Sequence, residues 1–508
     1  MKLQALLQNI VDYSGKQEID IAGLTLNSER VKANELFIAL QGVTSEGQRH
    51  IQQAIQNGAK AILCEGETHS FQGNSSQIPI VKLKNIPLYL DDLAKRFYGE
   101  PSKDLSLIGV TGTNGKTTTT FLLAQALNRL GLKTAVLGTL GYGFMNQLAP
   151  SYLTTPDPIS LQKYLKDLKD QKAKAVVMEV SSHGLEQNRV KQIHFQSAMF
   201  TNLTQDHLDY HGNMDAYGRA KQKLFQFPTL ERAVINADSA YADKILAVTK
   251  RDLPVVLYSL HHSFQKFSSR RSSLFTLSVD KFSLDHKGIK AMVKSSWGNG
   301  ILRSPLLGEF NLSNLVGVLG ELCLQGVPFE DALGALSVAA APPGRMQRIG
   351  GMNDPQIIID YAHTPDALEN ALKAARVHCH RRLWCVFGCG GDRDHDKRAK
   401  MGDIAGRFAD RIVITNDNPR SEKPRQIIND ILEGVTIEYS EKVMIEEDRQ
   451  QAIEYALQHA LPIDTILIAG KGHENYQIIG EKKLPFNDAE CVKLFLGEDK
   501  DYETLRYC

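Results

Sequence analysis

The first hundred residues alternate short apolar runs with amphipathic segments, a pattern that predicts a small α/β unit. The runs "ELFIAL", "KAILCE" and "IPIVKL" are typical of strands, and "IQQAIQNGA" has the spacing of a helix that is apolar on one side. The polar stretch "YGEPSKD" then supplies proline and glycine, which favour a linker. We therefore predict a first domain over residues 1–98.

A longer series of the same kind begins at Leu105. Apolar runs such as "LSLIGV", "KAVVMEV" and "SAMFTNL" alternate with helical segments, which is the pattern of a mainly parallel sheet crossed by helices. The segment "LFTLSVDKFSLDHKG" breaks this rhythm and alternates in polarity like a hairpin. A second break, "AAAPPGRMQRIGG", precedes another series with "IIIDYAH", "RLWCVFGC" and "TILIAGKG". The breaks predict an α/β protein with two further domains, 99–339 and 340–508.

The 508-residue chain has nearly equal numbers of basic and acidic side chains, 59 and 58. This balance gives no reason to expect a nucleic acid or an anionic membrane as a partner. No apolar run is long enough to span a bilayer, and the N-terminal segment lacks the features of a signal peptide. The seven cysteines are scattered, and Cys385 and Cys389 have no second pair to complete a zinc site, so we expect thiols. These features predict a cytoplasmic protein without membrane insertion.

The stretch "GVTGTNGKTTTT", which begins at Gly109, is similar to a phosphate-binding loop but fails the usual pattern by one residue. The Walker pattern requires a glycine at the position that Val110 occupies. The context is favourable, because a buried-strand run precedes the loop and an apolar-periodic helix follows it. Such a turn directs backbone N–H groups toward an anion, with Lys116 placed for the phosphates and the Thr117 hydroxyl for Mg²⁺. A purely structural turn between strand and helix is the alternative.

Several polar residues follow the next strand-like run. Glu179 lies at the end of that run, where α/β sheets place their ligands, and it is a candidate carboxylate for Mg²⁺. Ser181, Gln187 and Arg189 offer a hydroxyl, an amide and a guanidinium. Together these groups suit a substrate that is rich in hydroxyls and phosphates.

The segment "TNLTQDHLDYHGNMDAYGRAKQKLF" contains two histidines and a lysine. His207 and His211 have the spacing of a zinc pair on one helix face. Gly212 interrupts the helical pattern, however, and no glutamate follows His207 as it does in metalloproteases. Lys221 lies in a helix that is apolar on one side, and a lysine in such a helix is most often exposed to solvent.

Residues around the third-domain boundary suit nucleotide chemistry. Asn311 and Asn314 begin a helix, Arg345 follows the second break and Asp360 ends a strand-like run. An amide, a guanidinium and a carboxylate at a domain junction fit a nucleotide, although each residue alone is more often a cap or turn residue. Farther on, "GCGGDRDHDKR", "TNDNPRSE" and "AGKGHENYQ" are polar strand ends, where a ligand crevice is expected.

Seven motifs taken together, "TGTNGKTT", "EVSSHGL", "TNLTQDHLDYHG", "YGRAKQKLF", "DYAHTP", "GDRD" and "GKGHE", resemble those of the Mur ligases of peptidoglycan synthesis. The resemblance extends over essentially the whole chain. It implies an N-terminal UDP-binding domain, a central P-loop-type ATPase domain and a C-terminal Rossmann-like domain. It further implies ATP and Mg²⁺ as cofactors, and we expect a monomer.

The resemblance assigns roles to individual residues. Lys221 matches the lysine that is carbamylated in this family, and the carbamate replaces a cation by a carboxylate able to bridge Mg²⁺. Because reaction with carbon dioxide requires a neutral amine, the site should lower the pKa of Lys221. The implied catalytic residues are Lys116, Glu179, His207 and Lys221. The implied ligands of Mg²⁺ are Thr117, Glu179, His207 and Lys221. The implied ATP residues are Gly112, Thr113, Asn114, Gly115, Lys116, Thr117, Thr118, Asn314, Arg345 and Asp360. The implied contacts to the UDP-muramoyl peptide are Leu26, Ser28, Thr44, Ser45, Thr154, Thr155, Ser181, Gln187 and Arg189.

The motif "DNPR" bears on which amino acid is joined. meso-Diaminopimelate carries a second carboxylate where lysine has none, and Arg420 can grip that group bidentately, worth about 1.5–3 kcal/mol. In the family, this motif marks the members that add diaminopimelate. The other implied contacts to that amino acid are Arg393, Asp417, Asn418, Pro419, Gly470 and Glu474.

The implied reaction joins meso-diaminopimelate to UDP-N-acetylmuramoyl-L-Ala-D-Glu through an acyl phosphate, with ADP and phosphate as products. Three alternatives stay open: the same ligase adding L-lysine, another amide ligase of the superfamily, and a regulatory switch that hydrolyses ATP without ligation. A folylpolyglutamate synthetase usually starts near its phosphate loop, whereas about 100 residues precede the loop here. A switch would not need "DNPR", "GDRD" and "GKGHE" on a third domain.

Overall fold

The computed structural model describes residues 1–11, 18–40, 45–66, 71–72, 78–261, 264, 267, 273–350 and 354–497. The chain divides into two compact units. Unit 1 comprises Met1–Lys116, Gly131–Ala233 and Ser239–Pro254, and unit 2 comprises Thr117–Leu130, Val234–Asp238 and Val255–Cys508. The boundaries at 98/99 and 339/340 stay predictions. Among the described residues, no helix combines the length and the apolarity needed to cross a membrane.

The N-terminal part of unit 1 is a small sheet with three helices. Its strands are β1 Gly23–Thr25, β2 Glu35–Ala39, β3 Ala61–Glu65, β4 Phe71–Gln72 and β5 Ile80–Leu83, and its helices are α1 Leu3–Leu7, α2 Ser45–Gln56 and α3 Leu90–Tyr98. The strand order is β1-β2-β3-β5-β4, and only β4 runs antiparallel to its neighbour. Leu36 and Ile38 of β2 join one apolar cluster, whereas Phe37 and Ala39 join another. Both faces of this sheet are therefore buried, which explains its unbroken apolar runs.

The rest of unit 1 is built on a larger, mainly parallel sheet. Its strands are β6 Ser106–Thr111, β7 Thr134–Gly138, β8 Gly141–Phe144, β9 Gln147–Ala149, β10 Ala175–Glu179 and β11 Phe195–Phe200. The helices of this region are α5 Pro158–Asp170, α6 Ser182–Glu186, α7 Leu208–His211, α8 Met214–Gln222 and α9 Ala242–Val248. Helix α4 Lys116–Arg129 follows β6 and belongs to unit 2 apart from its first residue. The strand order is β11-β6-β10-β7-β8-β9, with the first four strands parallel. The carboxyl ends of β6, β10 and β11 therefore share one edge, where α/β sheets bind ligands.

The first part of unit 2 contains most of β12 Arg232–Asn236, followed by β13 Val255–Ser259, β14 Leu274–Asp285, β15 Gly288–Ser295 and β16 Gly298–Ser304. The order is β16-β15-β14-β13-β12, and β14 is parallel to β13. Strands β14, β15 and β16 form an antiparallel meander, which confirms the hairpin predicted from the alternating segment. Helices α10 Glu309–Leu324 and α11 Phe329–Leu336 complete this part.

The second part of unit 2 is a sheet buried on both faces. Its strands are β17 Gln347–Gly350, β18 Gln356–Asp360, β19 Leu383–Phe387, β20 Arg411–Ile414, β21 Val443–Ile445 and β22 Thr465–Ala469, followed by the hairpin β23 Tyr476–Ile479 and β24 Lys482–Pro485. The helices are α12 Pro365–His378, α13 Asp396–Phe408, α14 Pro424–Leu432, α15 Arg449–His459 and α16 Asp488–Leu496. The order is β17-β18-β22-β19-β20-β21, parallel except for β17. Ile358 packs in one cluster, while Ile357 and Ile359 pack in the other.

Candidate functional site

The predicted phosphate loop links the end of β6 to the start of α4. Gly112 and Gly115 have positive φ angles of 154° and 84°, which a side chain disfavours. The loop is held from the next strand end, because the Thr201 hydroxyl donates to the carbonyl of Asn114 at 2.6 Å. The Lys116 ammonium donates to the carbonyls of Gly112 at 2.9 Å and Thr113 at 2.8 Å. The departure from the Walker pattern thus has a local cause: Val110 is a buried strand residue, and the glycine is needed at 112.

We expect Gly112→Ala to weaken nucleotide binding and to lower the free energy of unfolding by about 1–3 kcal/mol. The added Cβ would lie 1.9 Å from the Thr201 Oγ1 atom, at a φ of 154°. Gly334 in α11 is the matched control, because a Cβ there meets nothing within 4 Å, and Gly334→Ala should be neutral or slightly stabilising. Urea unfolding and calorimetric titration with ATP measure both effects. Equal stability and equal ATP affinity for the two variants would refute this reading of the loop.

Lys221 is buried, although a lysine in such a helix is most often exposed to solvent. Only 1% of its surface is exposed, and its ammonium donates to the carbonyl of Gly112 at 2.9 Å. The same nitrogen lies 4.3 Å from the ring centre of Tyr217, whose hydroxyl is 3.1 Å from that of Thr113. Burial, with the nearby Lys116 as a second cause, holds the pKa of Lys221 well below its ordinary value. The amine is therefore biased toward its neutral, nucleophilic form beside the phosphate loop.

Glu179 lies at the end of β10, as predicted, and its carboxylate is buried. The carboxylate accepts from the backbone N–H of Thr139 at 2.9 Å and from the Thr139 hydroxyl at 3.2 Å. A Cβ on Gly138 would lie 2.2 Å from Oε1, so glycine there leaves the space that the carboxylate occupies. Thr139 was not anticipated, because its role depends on a strand that is distant in sequence.

The two histidines of the possible zinc pair do not share a helix face. His207 precedes α7 in a left-handed conformation, with φ of 51°, and its ring packs edge-on against His183 at 4.8 Å. His211, at the end of α7, lies 3.0 Å from the Ser182 hydroxyl. In the part of the chain that the structure describes, no group of three or more His, Cys, Asp or Glu side chains is arranged to hold a metal ion.

The residues predicted to hold the muramoyl peptide lie together. The Arg189 guanidinium donates to the carbonyl of Thr155 at 2.8 Å and to Gln187 Oε1 at 2.9 Å. The Thr155 hydroxyl donates to the carbonyl of Glu179 at 3.0 Å and accepts from the N–H of Ser181 at 2.8 Å. Thr154 is adjacent, and its hydroxyl is 3.1 Å from that of Thr139. This cluster joins the carboxyl end of β10 to the start of α6.

The residues predicted for the uridine lie in the small N-terminal sheet region. Ser28 begins a short 3-10 turn, and its hydroxyl donates to Gln53 Oε1 at 2.7 Å and lies 3.1 Å from His50 Nδ1. Leu26 is half-buried against the N-terminal core. Thr44 and the side chain of Ser45 lie outside the described residues.

The residues predicted near the nucleotide base and ribose form two groups in unit 2. Asn311 and Asn314 lie one turn apart in α10, joined by a 3.2 Å hydrogen bond, and the Thr119 hydroxyl donates to Asn314 at 3.3 Å. Asp360 ends β18, as predicted, and its carboxylate accepts from the N–H of Met346 at 2.7 Å. Burial raises the pKa of Asp360, and Arg345 opposes that rise. Thr117 and Thr118 are both buried in the first turn of α4.

The "DNPR" loop follows β20 and holds Arg420 in a left-handed conformation, with φ of 52°. The β23–β24 hairpin fixes the backbone of Arg420. The Arg420 N–H donates to the carbonyl of Ile478 at 3.1 Å, and the Arg420 carbonyl accepts from the N–H of Gly480 at 2.8 Å. The Arg420 guanidinium donates to the carbonyl of Gly391 at 2.8 Å. Asn418 donates to Glu474 at 2.9 Å. Asn418 and Glu474, both predicted to contact the amino acid, are thus hydrogen-bonded to each other, and backbone carbonyl groups orient the Arg420 side chain.

The loop that carries Arg393 is also tied to the "DNPR" loop. Arg393 itself is exposed. The fully buried Arg398 pairs with both oxygens of Glu422 at 2.8 Å and with Asp430 at 2.7 Å. The Arg398 guanidinium lowers the pKa of Glu422 to about 2. A Cβ on Gly391 would lie 2.0 Å from the carbonyl oxygen of Pro419, the residue between Asn418 and Arg420.

Gly470 follows β22 with a positive φ of 114°, and a Cβ there would lie 2.7 Å from a carboxylate oxygen of the buried Asp417. Beneath it, the buried Arg449 pairs with Asp488 at 2.7 and 2.8 Å and donates to the carbonyl of Ala469 at 3.0 Å. Sequence reasoning missed Arg398 and Arg449, because nothing local distinguishes a buried arginine from an exposed one in a helix.

Most of the chain matches models of known protein families. Three family models match: "Mur ligase family, catalytic domain" over residues 20–98, "Mur ligase middle domain" over 110–321, and "Mur ligase, glutamate ligase domain" over 344–472. UDP-N-acetylmuramoyl-L-alanyl-D-glutamate–2,6-diaminopimelate ligase of Coxiella burnetii is 43% identical over 96% of this chain and 98% of its own. The same-named ligase of Pseudomonas aeruginosa is 46% identical over 94% of this chain and 95% of its own.

Solved structures show the same likeness. A structure of UDP-N-acetylmuramoyl-L-alanyl-D-glutamate–2,6-diaminopimelate ligase has a TM-score of 0.66 at 33% identity, and covers 98% of this chain and 99% of that one. MurF from Acinetobacter baumannii has a TM-score of 0.66 at 19% identity, and covers 92% of this chain and 95% of its own. The second match carries information on the fold alone.

Proposed function

The chain belongs to the Mur ligase family, and from that premise we propose that it joins meso-2,6-diaminopimelate to UDP-N-acetylmuramoyl-L-Ala-D-Glu at the expense of ATP. The fold is the three-domain α/β fold of that family, and its members are ATP-dependent ligases. The products are ADP, phosphate and a UDP-muramoyl tripeptide, which is a precursor of peptidoglycan. The enzyme acts as a cytoplasmic monomer, with no nucleic-acid partner.

The observation that carries the choice of amino acid is the setting of Arg420. The β23–β24 hairpin fixes the backbone on both sides of this residue. Among the described residues, the guanidinium donates hydrogen bonds only to carbonyl oxygens. Its donors are therefore available to a carboxylate without the loss of an existing ion pair. The distal carboxylate of diaminopimelate supplies that partner, whereas lysine would leave the cation facing another ammonium.

The reaction begins when one of the two free carboxylates of the D-Glu residue attacks the γ-phosphorus of ATP. An acyl phosphate forms and ADP leaves. The amine of the incoming amino acid then attacks the acyl carbon, loses a proton, and the tetrahedral intermediate expels phosphate. Two anions must meet in the first step, so Lys116 and the N–H groups of the loop from Gly112 to Thr118 have to cancel charge on the phosphates.

Mg²⁺ fits the donors at the carboxyl end of the unit 1 sheet. The proposed ligands are the Thr117 hydroxyl, the Glu179 carboxylate, His207 and a carbamate on Lys221. When bound, the ion offsets the negative charge of the phosphates. The burial of Lys221, which lowers the pKa of its amine, supports the carbamate, since only a neutral amine reacts with carbon dioxide.

The other substrate contacts are proposals with local support. Arg189, Thr155 and Ser181 form one hydrogen-bonded cluster with Gln187, which suits the anionic peptide of the muramoyl substrate. Leu26, Ser28, Thr44 and Ser45 are proposed for the uridine. Asn314, Arg345 and Asp360 are proposed for the nucleoside of ATP. Arg393, Gly470 and Glu474, with the four residues of "DNPR", are proposed for diaminopimelate.

An isotope experiment tests the reaction. UDP-N-acetylmuramoyl-L-Ala-D-Glu with ¹⁸O in its free carboxylates is incubated with ATP and meso-diaminopimelate, and the products are analysed by mass spectrometry. The proposal predicts a nucleotide product heavier by one diaminopimelate residue and one ¹⁸O atom in the released phosphate. Tripeptide product with unlabelled phosphate would rule out the acyl phosphate, and unlabelled phosphate without tripeptide would point to a hydrolytic switch.

A further inference from the structure

Lys471 is a fully buried lysine inside the proposed amino-acid site. It lies between Gly470 and Gly472, whose positive φ angles of 114° and 53° turn the chain sharply on either side. Its ammonium lies 2.9 Å from Glu474 Oε2 and 3.2 Å from Asn418 Oδ1. Both partners belong to the group proposed to contact diaminopimelate, whereas no role has been assigned to the lysine that joins them.

The Asn418 amide has one orientation in this arrangement. Its Nδ2 donates to Glu474 at 2.9 Å, and its Oδ1 accepts both from the Lys471 ammonium and from the N–H of Ile478 at 2.9 Å. A flipped amide would set its NH₂ group against two donors and its oxygen against a carboxylate. Lys471, Asn418 and Glu474 therefore form a closed triangle, in which each hydrogen bond fixes the other two.

The charge of Lys471 also matters, because its surroundings are acidic and dry. Its ammonium lies 3.9 Å from Asp417 as well as 2.9 Å from Glu474. The other buried cation nearby, Arg449, is already paired with Asp488. Loss of the ammonium would leave the Glu474 carboxylate without its nearest cation in a place where solvent compensates poorly. The carboxylate would then move away from its present position.

We infer that Lys471 is a positioning residue of the amino-acid site, which aims the Asn418 amide and the Glu474 carboxylate at the incoming amino acid. The inference rests on the proposed function, since it requires that these two groups bind that substrate. Lys471 itself is buried beneath them and acts through them. Its removal should therefore raise KM for diaminopimelate, while KM for ATP changes little.

A double-mutant cycle tests this role. Lys471→Met, Glu474→Gln and the double variant are compared by kcat and by KM for each of the three substrates. We expect each single variant to raise KM for diaminopimelate about ten- to a hundredfold, and the double variant to be only slightly worse than the more affected single variant. Lys483→Met is the control, because this exposed lysine lies 3.7 Å from the ring centre of Tyr476 in the adjacent hairpin, and its KM values should match the wild type.

The outcomes separate the two claims. If Glu474→Gln leaves KM for diaminopimelate unchanged, the proposed amino-acid site is wrong. If Glu474→Gln raises that KM but Lys471→Met multiplies it independently, or changes all three KM values alike, the positioning role is wrong. Should Lys471→Met fail to fold, Lys471→Arg serves in the same cycle. Arg retains the charge of Lys471 but not its geometry. The positioning role then again requires that Lys471→Arg raise KM for diaminopimelate, and that this effect not add to the effect of Glu474→Gln.

Discussion

Lys221→Ala should lower kcat by about 10³-fold or more, with little change in the free energy of unfolding. The expectation rests on burial beside the phosphate loop: the amine contacts the Gly112 carbonyl, and its pKa is lowered by burial and by Lys116. A buried amine in this state is poorly suited to bind phosphate as a cation. It is well suited to form a carbamate, which would supply negative charge for Mg²⁺.

Chemical rescue distinguishes the loss of a carbamate from a general loss of structure. A short carboxylate such as acetate or propionate, added at millimolar to molar concentration, should restore part of the activity of Lys221→Ala. Lys223→Ala is the matched control two residues away, because Lys223 is exposed and paired with Glu186 at 2.8 Å, and its activity should be unchanged. Removal of carbon dioxide should also lower wild-type activity. Undiminished activity in Lys221→Ala would eliminate the carbamate role.

Arg420→Ala should lower kcat/KM for meso-diaminopimelate about 10- to 150-fold, which corresponds to the loss of a charge-assisted bond of about 1.5–3 kcal/mol. Selectivity over L-lysine should fall further, on the order of 10³-fold. The larger change is expected because a site built to pair the Arg420 charge also rejects the analogue that lacks the partner. The variant should bind ATP and the muramoyl peptide as the wild type does.

The matched control is Arg425→Ala. Arg425 lies in α14, close in sequence to Arg420, but it is exposed and 3.7 Å from Glu447. Steady-state kinetics with each amino acid at saturating ATP and UDP-muramoyl dipeptide provide the comparison. The assignment of Arg420 is wrong if its variant keeps the wild-type ratio of the two kcat/KM values, or if Arg425→Ala shifts that ratio as strongly.

Strand ends were the most predictable part of this molecule. Glu179 and Asp360 each end a strand as their sequence patterns indicated, because buried parallel strands read as unbroken apolar runs and their ends are marked by the first polar residues. The phosphate loop was predictable for the same reason. Its missing Walker glycine is explained by the strand, which extends through Val110 and moves the required glycine to 112.

Side-chain burial in helices was not predictable. A lysine in a helix such as α8 is most often exposed to solvent, whereas Lys221 is buried and its ammonium donates to a carbonyl 109 residues away. Arg398 and Arg449 are further cases, since the charge of each is matched by carboxylates that the fold brings together. Local sequence fixes periodicity and turns, but the burial of one charged side chain depends on contacts between distant segments.

The most direct test of the central claim is phosphate release by the wild-type protein with ATP and UDP-N-acetylmuramoyl-L-Ala-D-Glu, measured separately with meso-diaminopimelate, L-lysine and glutamate. The account predicts rapid release with meso-diaminopimelate and little release with the other two or with no amino acid. Strong release with lysine and none with diaminopimelate would contradict the role given to Arg420. Release that is independent of both the dipeptide and the amino acid would contradict ligation itself.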